Sequence, residues 1–286
     1  MRTNLTAATL AVILVATLLV PPARAQLKLP RVSPAATVTQ TIGIADLTVT
    51  YCRPGVKGRV IWGGLVPYDA PWRTGANEAT RFTATGPIQF GGKELAAGAY
   101  SLFTIPGKDE WTVVINSEKD LWGAYEYKPE KDVLRVTVKP TAAEPQEWME
   151  FSFEDLTPNS ANLVLRWEKL RLAVPIVVDA NGLTLAGARK AIAAMKSDDW
   201  RTPYQAASFC FTNDVAMDEG WKWLEKSLGV QQTWQNLGLQ ARWQAKQGRK
   251  ADALKTAEKA LEVAKASKDK VDTSALEKLM TEWKAK

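Results

Sequence analysis

The chain contains no histidine, and only two of its 286 residues are cysteines. Catalytic triads of the Ser-His-Asp or Cys-His type therefore cannot form, and neither can a metal site built on imidazole. Two thiols are also too few for a zinc site made of thiolates. Carboxylate pairs, a Ser-Lys arrangement and calcium bound by oxygen atoms stay open. We predict no metal site and no cofactor, and we favour a protein that is not an enzyme.

The two cysteines, Cys52 and Cys210, lie in different halves of the chain. Cys52 falls in a strand-like run and Cys210 in an apolar helical run, and buried single cysteines behave as small hydrophobic residues. We therefore favour two free thiols. A disulfide between them stays open, because the sequence does not say whether their Cα atoms come close enough.

Only one apolar run is long, and it extends from Leu5 to Val20. It follows the basic residue Arg2 and precedes Ala23-Arg24-Ala25, a pattern typical of a secretory signal peptide. We interpret residues 1–25 as a signal peptide and expect an exported protein, periplasmic or extracellular, with no membrane span after cleavage. The alternative is an uncleaved anchor, although the run is short for a spanning helix of about 20 apolar residues.

Short segments of alternating apolar and polar residues follow a tether at residues 26–34. This alternation is typical of strands with one buried face. Turn residues such as Gly91-Gly92 separate the segments, and no strand–helix–strand spacing occurs. We predict about nine to eleven strands in an antiparallel sandwich or barrel over residues 35–179. A close turn is expected between Trp167 and Leu170.

From residue 180 onward, apolar residues recur at the spacing of helices. We predict an all-α region of helical hairpins over residues 180–286, and hence an α+β protein. The part from Trp234 to Leu261 is similar to a tetratricopeptide unit, with a turn at Gly248 before an alanine-lined helix; an ordinary helical bundle is the alternative. We predict a protein partner for this region and no nucleic acid, since its lysines are interpreted as a solvated face.

Three motifs carry a resemblance to a known family: TVTYCRPGVKGRVIWGGLVPYDAPWRTGANEAT, GGKELAAGAYSLFTIPGKDEWTVVIN and WGAYEYKPEKDVLRVTVKP. They occur in this order within residues 33–178, and this segment resembles the DUF2911 family of exported bacterial proteins. The resemblance implies a shared β-domain and supplies no reaction. It also implies that serine is usual at the position of Cys52, so Cys52 is not expected to be a required nucleophile. Some relatives similarly carry a helical tail.

Potential recognition residues are most concentrated in the glycine- and proline-rich segment 51–80. Glycine and proline at this frequency indicate turns and a fixed backbone, and binding residues are often held on such loops. Its arginines could bind a carboxylate or phosphate through two parallel hydrogen bonds, and its tryptophans could stack on a sugar. We predict a site for an anionic or sugar ligand that contains Arg53, Lys57, Arg59, Trp72, Arg73, Asn77 and Glu78.

Two other interpretations of this segment stay open. Arg59 and Arg73 could pair with Glu78 and Asp69 to fix a long loop, with the tryptophans packed at the end of the sandwich. Alternatively, Asp69 and Glu78 could be the two carboxylates of a hydrolase, a chemistry that needs no histidine. Between the two arginines, we expect Arg59 to be structural and Arg73 to lie nearer the ligand.

A second group of aromatic residues surrounds Gly123 and Pro129, which indicate a loop. We favour packing over ligand binding for its members, Trp111, Trp122, Tyr125 and Tyr127. Our leading hypothesis from the sequence is an exported, non-catalytic β-sandwich that binds a small ligand or glycan, followed by a helical tail that binds a protein partner. The alternatives are an envelope-associated hydrolase that uses carboxylates and a purely structural envelope protein.

Overall fold

The computed structural model describes residues 29–267 and 270–285. The segment interpreted as a signal peptide, residues 1–25, therefore lies outside the described residues. Strands occupy the first part of the described chain and helices the second, so the protein is α+β, as predicted. None of the described helices combines the length and the apolar character that crossing a membrane requires.

In the described residues ten strands, numbered in chain order, form two antiparallel sheets. The larger sheet contains, in spatial order, β1 (Ala35–Ile42), β2 (Ala45–Cys52), β3 (Thr80–Ala84), β6 (Gly98–Pro106), β7 (Trp111–Asn116) and β8 (Asp132–Val138). The smaller sheet contains β5 (Lys93–Leu95), β4 (Ile88–Phe90), β10 (Ser160–Val177) and β9 (Thr141–Glu154). Within the described chain both sheets are open, so the fold is a sandwich and the alternative of a closed barrel is wrong.

Alternating burial along the strands explains why the two sheets pack face to face. In β2, Leu47 and Val49 are buried, whereas Thr50 faces outward. In β10, Leu163 and Leu165 belong to the same buried cluster. Residues two apart on a strand share a face. One face of each sheet is therefore apolar and is removed from water only by packing against the other.

Two turn predictions had opposite outcomes. The predicted turn at Gly91-Gly92 joins β4 to β5, and both glycines have positive φ, 57° and 78°. The turn predicted between Trp167 and Leu170 is wrong, because β10 continues as one strand with register shifts around Glu168, whose φ is 57°. At each of the two shifts β9 advances four residues while β10 advances two, and Trp167 and Leu172, five residues apart on β10, both face the core.

Six helices follow in the described part of the chain: α1 (Ala180–Ala193), α2 (Arg201–Asn213), α3 (Met217–Val230), α4 (Trp234–Lys246), α5 (Lys250–Lys265) and α6 (Ser274–Ala285). The pairs α2–α3 and α4–α5 pack as hairpins. Gly248, with φ of 81°, follows the end of α4, as expected for a helix stop. Helical hairpins were predicted, whereas the likeness of α4 and α5 to a tetratricopeptide unit stays a prediction.

Helix α1 connects the helical region to the sandwich. The carboxylate of Asp179 accepts a hydrogen bond of 2.9 Å from the Gly182 N–H and so caps the first turn. Leu183 packs against the sandwich core. A Cβ added at Gly86 would lie 3.2 Å from the Leu183 side chain. The start of the helices at Ala180 agrees with the predicted change from strand to helix spacing at residue 180.

Candidate functional site

The long connection between β2 and β3, residues 53–79, folds back onto the end of β2. The Ala76 N–H donates to the carbonyl oxygen of Cys52 at 3.3 Å. An added Cβ at Gly75 would lie 3.1 Å from the same oxygen, so a side chain there would crowd the backbone. Trp72 exchanges two backbone hydrogen bonds with Thr104 of β6, at 2.8 and 2.9 Å. These contacts fix residues 72–76 beside Cys52.

Trp72 itself belongs to the core. Its ring packs with those of Trp62, Trp111 and Trp167, with centroids 4.8 to 6.5 Å apart within this group. Only 7% of Trp72 is exposed, and its indole N–H donates to the Gly75 carbonyl at 3.1 Å. The tryptophans therefore hold the connection against the sandwich, and Trp72 has little exposed ring with which to stack on a ligand.

A second loop, residues 117–131 between β7 and β8, crosses the first. The Ala79 N–H donates to the Leu121 carbonyl at 2.9 Å, and the Gly123 N–H donates to the Asn77 carbonyl at 3.1 Å. The two loops therefore form one continuous, hydrogen-bonded surface on the outer side of the larger sheet.

A cavity of about 310 Å³ opens beside these loops. Two outward-facing strand residues line it, Thr50 of β2 and Arg81 of β3. They are paired across the two strands. This volume suits a small ligand. The charged, polar and thiol side chains that line it are Arg31, Thr50, Tyr51, Cys52, Glu78, Arg81 and Asp120.

Glu78 accepts two side-chain hydrogen bonds from other residues that line the cavity. Its Oε2 lies 2.8 Å from Nη1 of Arg31 and accepts a hydrogen bond of 3.4 Å from the Cys52 thiol. The pKa of Glu78 is lowered, first by a hydrogen bond from its own backbone N–H and then by the one from Arg31. Arg81 forms an ion pair with Asp120. The cavity lining thus contains two ion pairs, in each of which the two charges cancel, and one buried thiol.

Arg73 does not line this cavity, but its carbonyl accepts a hydrogen bond of 3.1 Å from the Thr80 N–H, between the lining residues Ala79 and Arg81. It differs from every other arginine in residues 29–179. Its side chain is half-buried, and its Nε is buried without a hydrogen-bond partner among the described residues. No carboxylate of the described chain forms an ion pair with it. Burial lowers the pKa of Arg73, with the Tyr125 hydroxyl and the Cys52 thiol acting in the opposite direction.

The other arginines between residues 29 and 179 all have acceptors. Arg59 donates to two carbonyl oxygens of its own loop, those of Gly55 at 2.5 Å and Val56 at 3.1 Å. The rest form ion pairs: Arg31 with Glu78, Arg53 with Glu150, Arg81 with Asp120, Arg135 with Asp132, and both Arg166 and Arg171 with Glu154.

Of the seven residues predicted to bind a ligand, only Glu78 lines the cavity, and Arg73 lies next to it through the hydrogen bond between its carbonyl and the Thr80 N–H. Arg53 donates to the Met149 carbonyl and to Glu150, and Asn77 donates to the Ser33 carbonyl at 3.2 Å. Arg59 is bonded within its own loop, and Trp72 is in the core. Lys57 lies 5.8 Å from the Trp148 ring centroid, on the exposed surface.

The predicted set missed six of the seven charged, polar and thiol residues that line the cavity: Arg31, Thr50, Tyr51, Cys52, Arg81 and Asp120. Thr50 and Arg81 are outward positions of strands, and the period-two alternation could have placed them on one face. Arg31 and Asp120 are far from the segment in sequence and belong to no motif, so no local signal marks them.

The two carboxylates proposed for a hydrolase lie in different surroundings. Asp69 is exposed, and its N–H donates to the Pro106 carbonyl at 2.8 Å, at the turn between β6 and β7. It does not line the cavity that contains Glu78. The suggestion that Arg59 and Arg73 pair with these carboxylates is wrong, because in the described chain the ion-pair partner of Glu78 is Arg31.

The second aromatic group divides in the structure. Trp111 is buried in the core, whereas Trp122 and Tyr125 are exposed. Tyr127 packs on Phe103 with ring centroids 5.0 Å apart, and its hydroxyl donates to Asp132 at 2.8 Å. Burial, and then the hydrogen bond to Asp132, raise the pKa of Tyr127 to about 12. The prediction of packing is confirmed for Trp111 and Tyr127 only.

The family model for DUF2911, described as a protein of unknown function, matches residues 33–176. The chain belongs to the DUF2911 family. The match includes β1 to β9 and nearly all of β10, and it excludes the helices. The cavity and Arg73 therefore lie in the DUF2911 domain, apart from Arg31. No curated protein and no solved structure matches the chain.

The helical region has a groove of its own, about 510 Å³ in volume. It lies among α2, α4, α5 and α6, and its lining includes Tyr204, Trp234, Leu239, Arg242 and Leu276. The buried thiol of Cys210 in α2 is free, as is that of Cys52, so the alternative of a disulfide between them is wrong. A protein partner for this region stays a prediction.

Proposed function

We propose that the DUF2911 domain of this chain is an exported, non-catalytic binding module for a small anionic ligand, with Arg73 as the residue that holds the anion. The observation that carries the proposal is the half-buried Arg73 guanidinium without a carboxylate partner in the described chain. The adjoining cavity supplies the space for the rest of the ligand.

A partly buried charge without a partner is unfavourable for folding, because the protein removes water without replacing its hydrogen bonds. Around Arg73 the same loop provides Arg59 with two carbonyl acceptors. Nε is the one Arg73 nitrogen that is both buried and unpaired, so the terminal nitrogens keep contact with solvent. A guanidinium in this state offers a planar donor pair to a carboxylate or phosphate.

The remaining parts of the proposal rest on other observations. Export rests on the sequence pattern of residues 1–25. The non-catalytic role rests on the absence of histidine and on the separate surroundings of Asp69 and Glu78. For the helical region we keep the hypothesis of a protein partner, with the groove among α2, α4, α5 and α6 as the surface that would receive it.

The test compares two arginines of one loop. Melting temperatures of the mature protein, of Arg73→Met and of Arg59→Met are measured while acetate, citrate, phosphate and sulfate are each titrated at constant ionic strength. A ligand that binds only the folded state raises the melting temperature. We expect at least one anion to give a saturable rise in the wild type and in Arg59→Met, and none in Arg73→Met.

Two results would overturn the proposal. One is the absence of any saturable effect for all four anions at millimolar concentration. The other is an equal effect in the wild type and in Arg73→Met, which would place the anion elsewhere on the surface. Arg59→Met controls for the general loss of one positive charge.

A further inference from the structure

The loop next to Arg73 exposes two aromatic side chains. Trp122 is 59% exposed and Tyr125 is 87% exposed, the two highest values among the aromatic residues of the described chain. Exposed aromatic residues that lie together on a surface commonly mark a binding site. Tyr127 of the same loop differs from them, because its ring packs on Phe103 and its hydroxyl donates to Asp132.

The backbone that carries these two rings is fixed. Trp122 forms a backbone bridge with Glu78, which lines the cavity. Gly123, with φ of 68°, donates to the Asn77 carbonyl at 3.1 Å. The rings therefore project from an ordered loop, and binding would not have to order the backbone first.

The aromatic rings, the cation and the cavity lie within one connected set of contacts. The Arg73 carbonyl accepts a hydrogen bond of 3.1 Å from the Thr80 N–H, which places the Arg73 backbone next to Ala79 and Arg81 of the cavity lining. Burial lowers the pKa of Arg73, and Tyr125 lies close enough to oppose that shift. A ligand that contacts the cation and the rings together therefore extends out of the cavity, toward Arg73, Trp122 and Tyr125 on its adjoining loops.

Resting on the proposed function, we propose that the ligand is an acidic sugar, a pyranose ring that bears a carboxylate, either free or at the end of a glycan. Its carboxylate binds Arg73, and the apolar C–H face of the ring packs on Trp122 and Tyr125. Its hydroxyl groups bond to the carboxylates and guanidinium groups of the cavity, Arg31, Glu78, Arg81 and Asp120.

Other classes of anion satisfy fewer of these groups. An inorganic phosphate or a short carboxylate has no apolar face for Trp122 and Tyr125. A fatty acid would place an apolar chain against the ion pairs of Glu78 and Asp120, and covering charged groups without hydrogen bonds is costly. A neutral sugar would leave Arg73 unpaired. An acidic sugar supplies a carboxylate for Arg73, an apolar face for Trp122 and Tyr125, and hydroxyl groups for the charged residues of the cavity.

Isothermal titration calorimetry of the mature full chain tests this with three probes: glucuronate, glucose and acetate. We expect glucuronate to bind about tenfold or more tightly than either of the other two, since it engages both the cation and the rings. The double variant Trp122→Ala/Tyr125→Ala should lower glucuronate affinity to that of acetate and leave acetate binding unchanged. Arg73→Met should lower glucuronate affinity to that of glucose.

Trp148→Ala, which removes a partly exposed aromatic ring on the smaller sheet, is the matched control and should bind glucuronate as the wild type does. A short glucuronate oligomer is a fourth probe: tighter binding than the monomer indicates the end of a glycan, and equal binding indicates a free sugar acid. Both results support the proposal.

The inference is overturned if glucuronate binds no more tightly than acetate, or if the double aromatic variant keeps the full affinity for glucuronate. In either case the anion site of the proposed function would stand, provided that acetate, citrate, phosphate or sulfate still depends on Arg73. If none of these anions binds, the proposed function fails together with the inference. Circular dichroism of each variant verifies that it is folded.

Discussion

The outer faces of the two sheets both carry arginines, but the arginines of the two faces differ in whether a carboxylate is bound to them. On the smaller sheet, Glu154 accepts from Arg166 at 2.8 Å and from Arg171 at 3.0 Å, so a single carboxylate serves two guanidinium groups. On the outer side of the larger sheet, Arg81 has its own carboxylate, while Arg73 has none among the described residues.

The difference follows from the elements that carry the charges. Glu154, Arg166 and Arg171 are residues of β9 and β10, where the strand register determines which side chains meet. Arg73 is on a loop that backbone hydrogen bonds and buried tryptophans fix, so its position does not depend on a partner for its own charge. An ion-paired strand face stabilises the fold, and a fixed loop can hold a charge available for a ligand.

The largest effect is expected from opening the ion-paired face with Glu154→Gln. This change leaves two partly buried arginines without their carboxylate, and we expect a loss of about 1–3 kcal/mol in the free energy of unfolding at pH 7. Hydrogen bonds from Arg166, and then from Arg171, lower the pKa of Glu154 to about 2 from 4.5. Because the folded-state pKa is depressed, the stabilisation is complete above pH 4.5 and is lost as the pH falls toward 2.

Urea unfolding at pH 7 and at pH 3 measures both parts of this prediction. The difference between the wild type and Glu154→Gln should shrink at the lower pH. A variant as stable as the wild type at pH 7 would show that the ion-paired face does not stabilise the sandwich.

A smaller loss is expected for Arg53→Met. Arg53 donates to the Met149 carbonyl at 2.8 Å and to Glu150 at 3.0 Å, and so ties the end of β2 to the smaller sheet. Removing two hydrogen bonds, one of them charge-assisted, should cost about 1–2 kcal/mol in chemical denaturation. Lys57→Met, at an exposed position of the same connection, is the control and should stay within about 0.5 kcal/mol of the wild type.

The smallest effect on stability is expected for Arg73→Met, which removes the arginine that has no carboxylate partner among the described residues. Because no carboxylate of the described chain is stranded by this change, stability should alter by less than about 1 kcal/mol, toward greater stability, as a partly buried unpaired charge is removed. Arg59→Met should instead lose up to about 1 kcal/mol with its two carbonyl contacts. Thermal melts of the two variants measure this, and a markedly lower melting temperature for Arg73→Met would mean that Arg73 is structural.

Part of the fold could be predicted because short segments of the sequence, taken alone, determine it. Alternation located the strands, and Gly91-Gly92 marked its hairpin, since positive φ at both positions favours glycine. The irregularity at Glu168 was misjudged as a turn, because it interrupts the alternation of buried residues between Trp167 and Leu172 just as a turn does. For the site, the sequence indicated the segment but not which of its residues are free to bind. Nothing in the sequence distinguishes Arg53, Lys57, Arg59 and Arg73, because their contacts depend on how the chain packs.

By itself the sequence determined the α+β architecture, the resemblance to DUF2911 and the exclusion of histidine chemistry, since periodicity, motifs and residue counts are properties of the chain before it folds. Only the tertiary structure decided that Trp72 is in the core, that Arg31 contacts Glu78 across 47 positions, and that Arg73 has no acceptor in the described chain. Burial and charge pairing depend on distances between residues far apart in sequence, and those distances are set when the sheets and loops pack together.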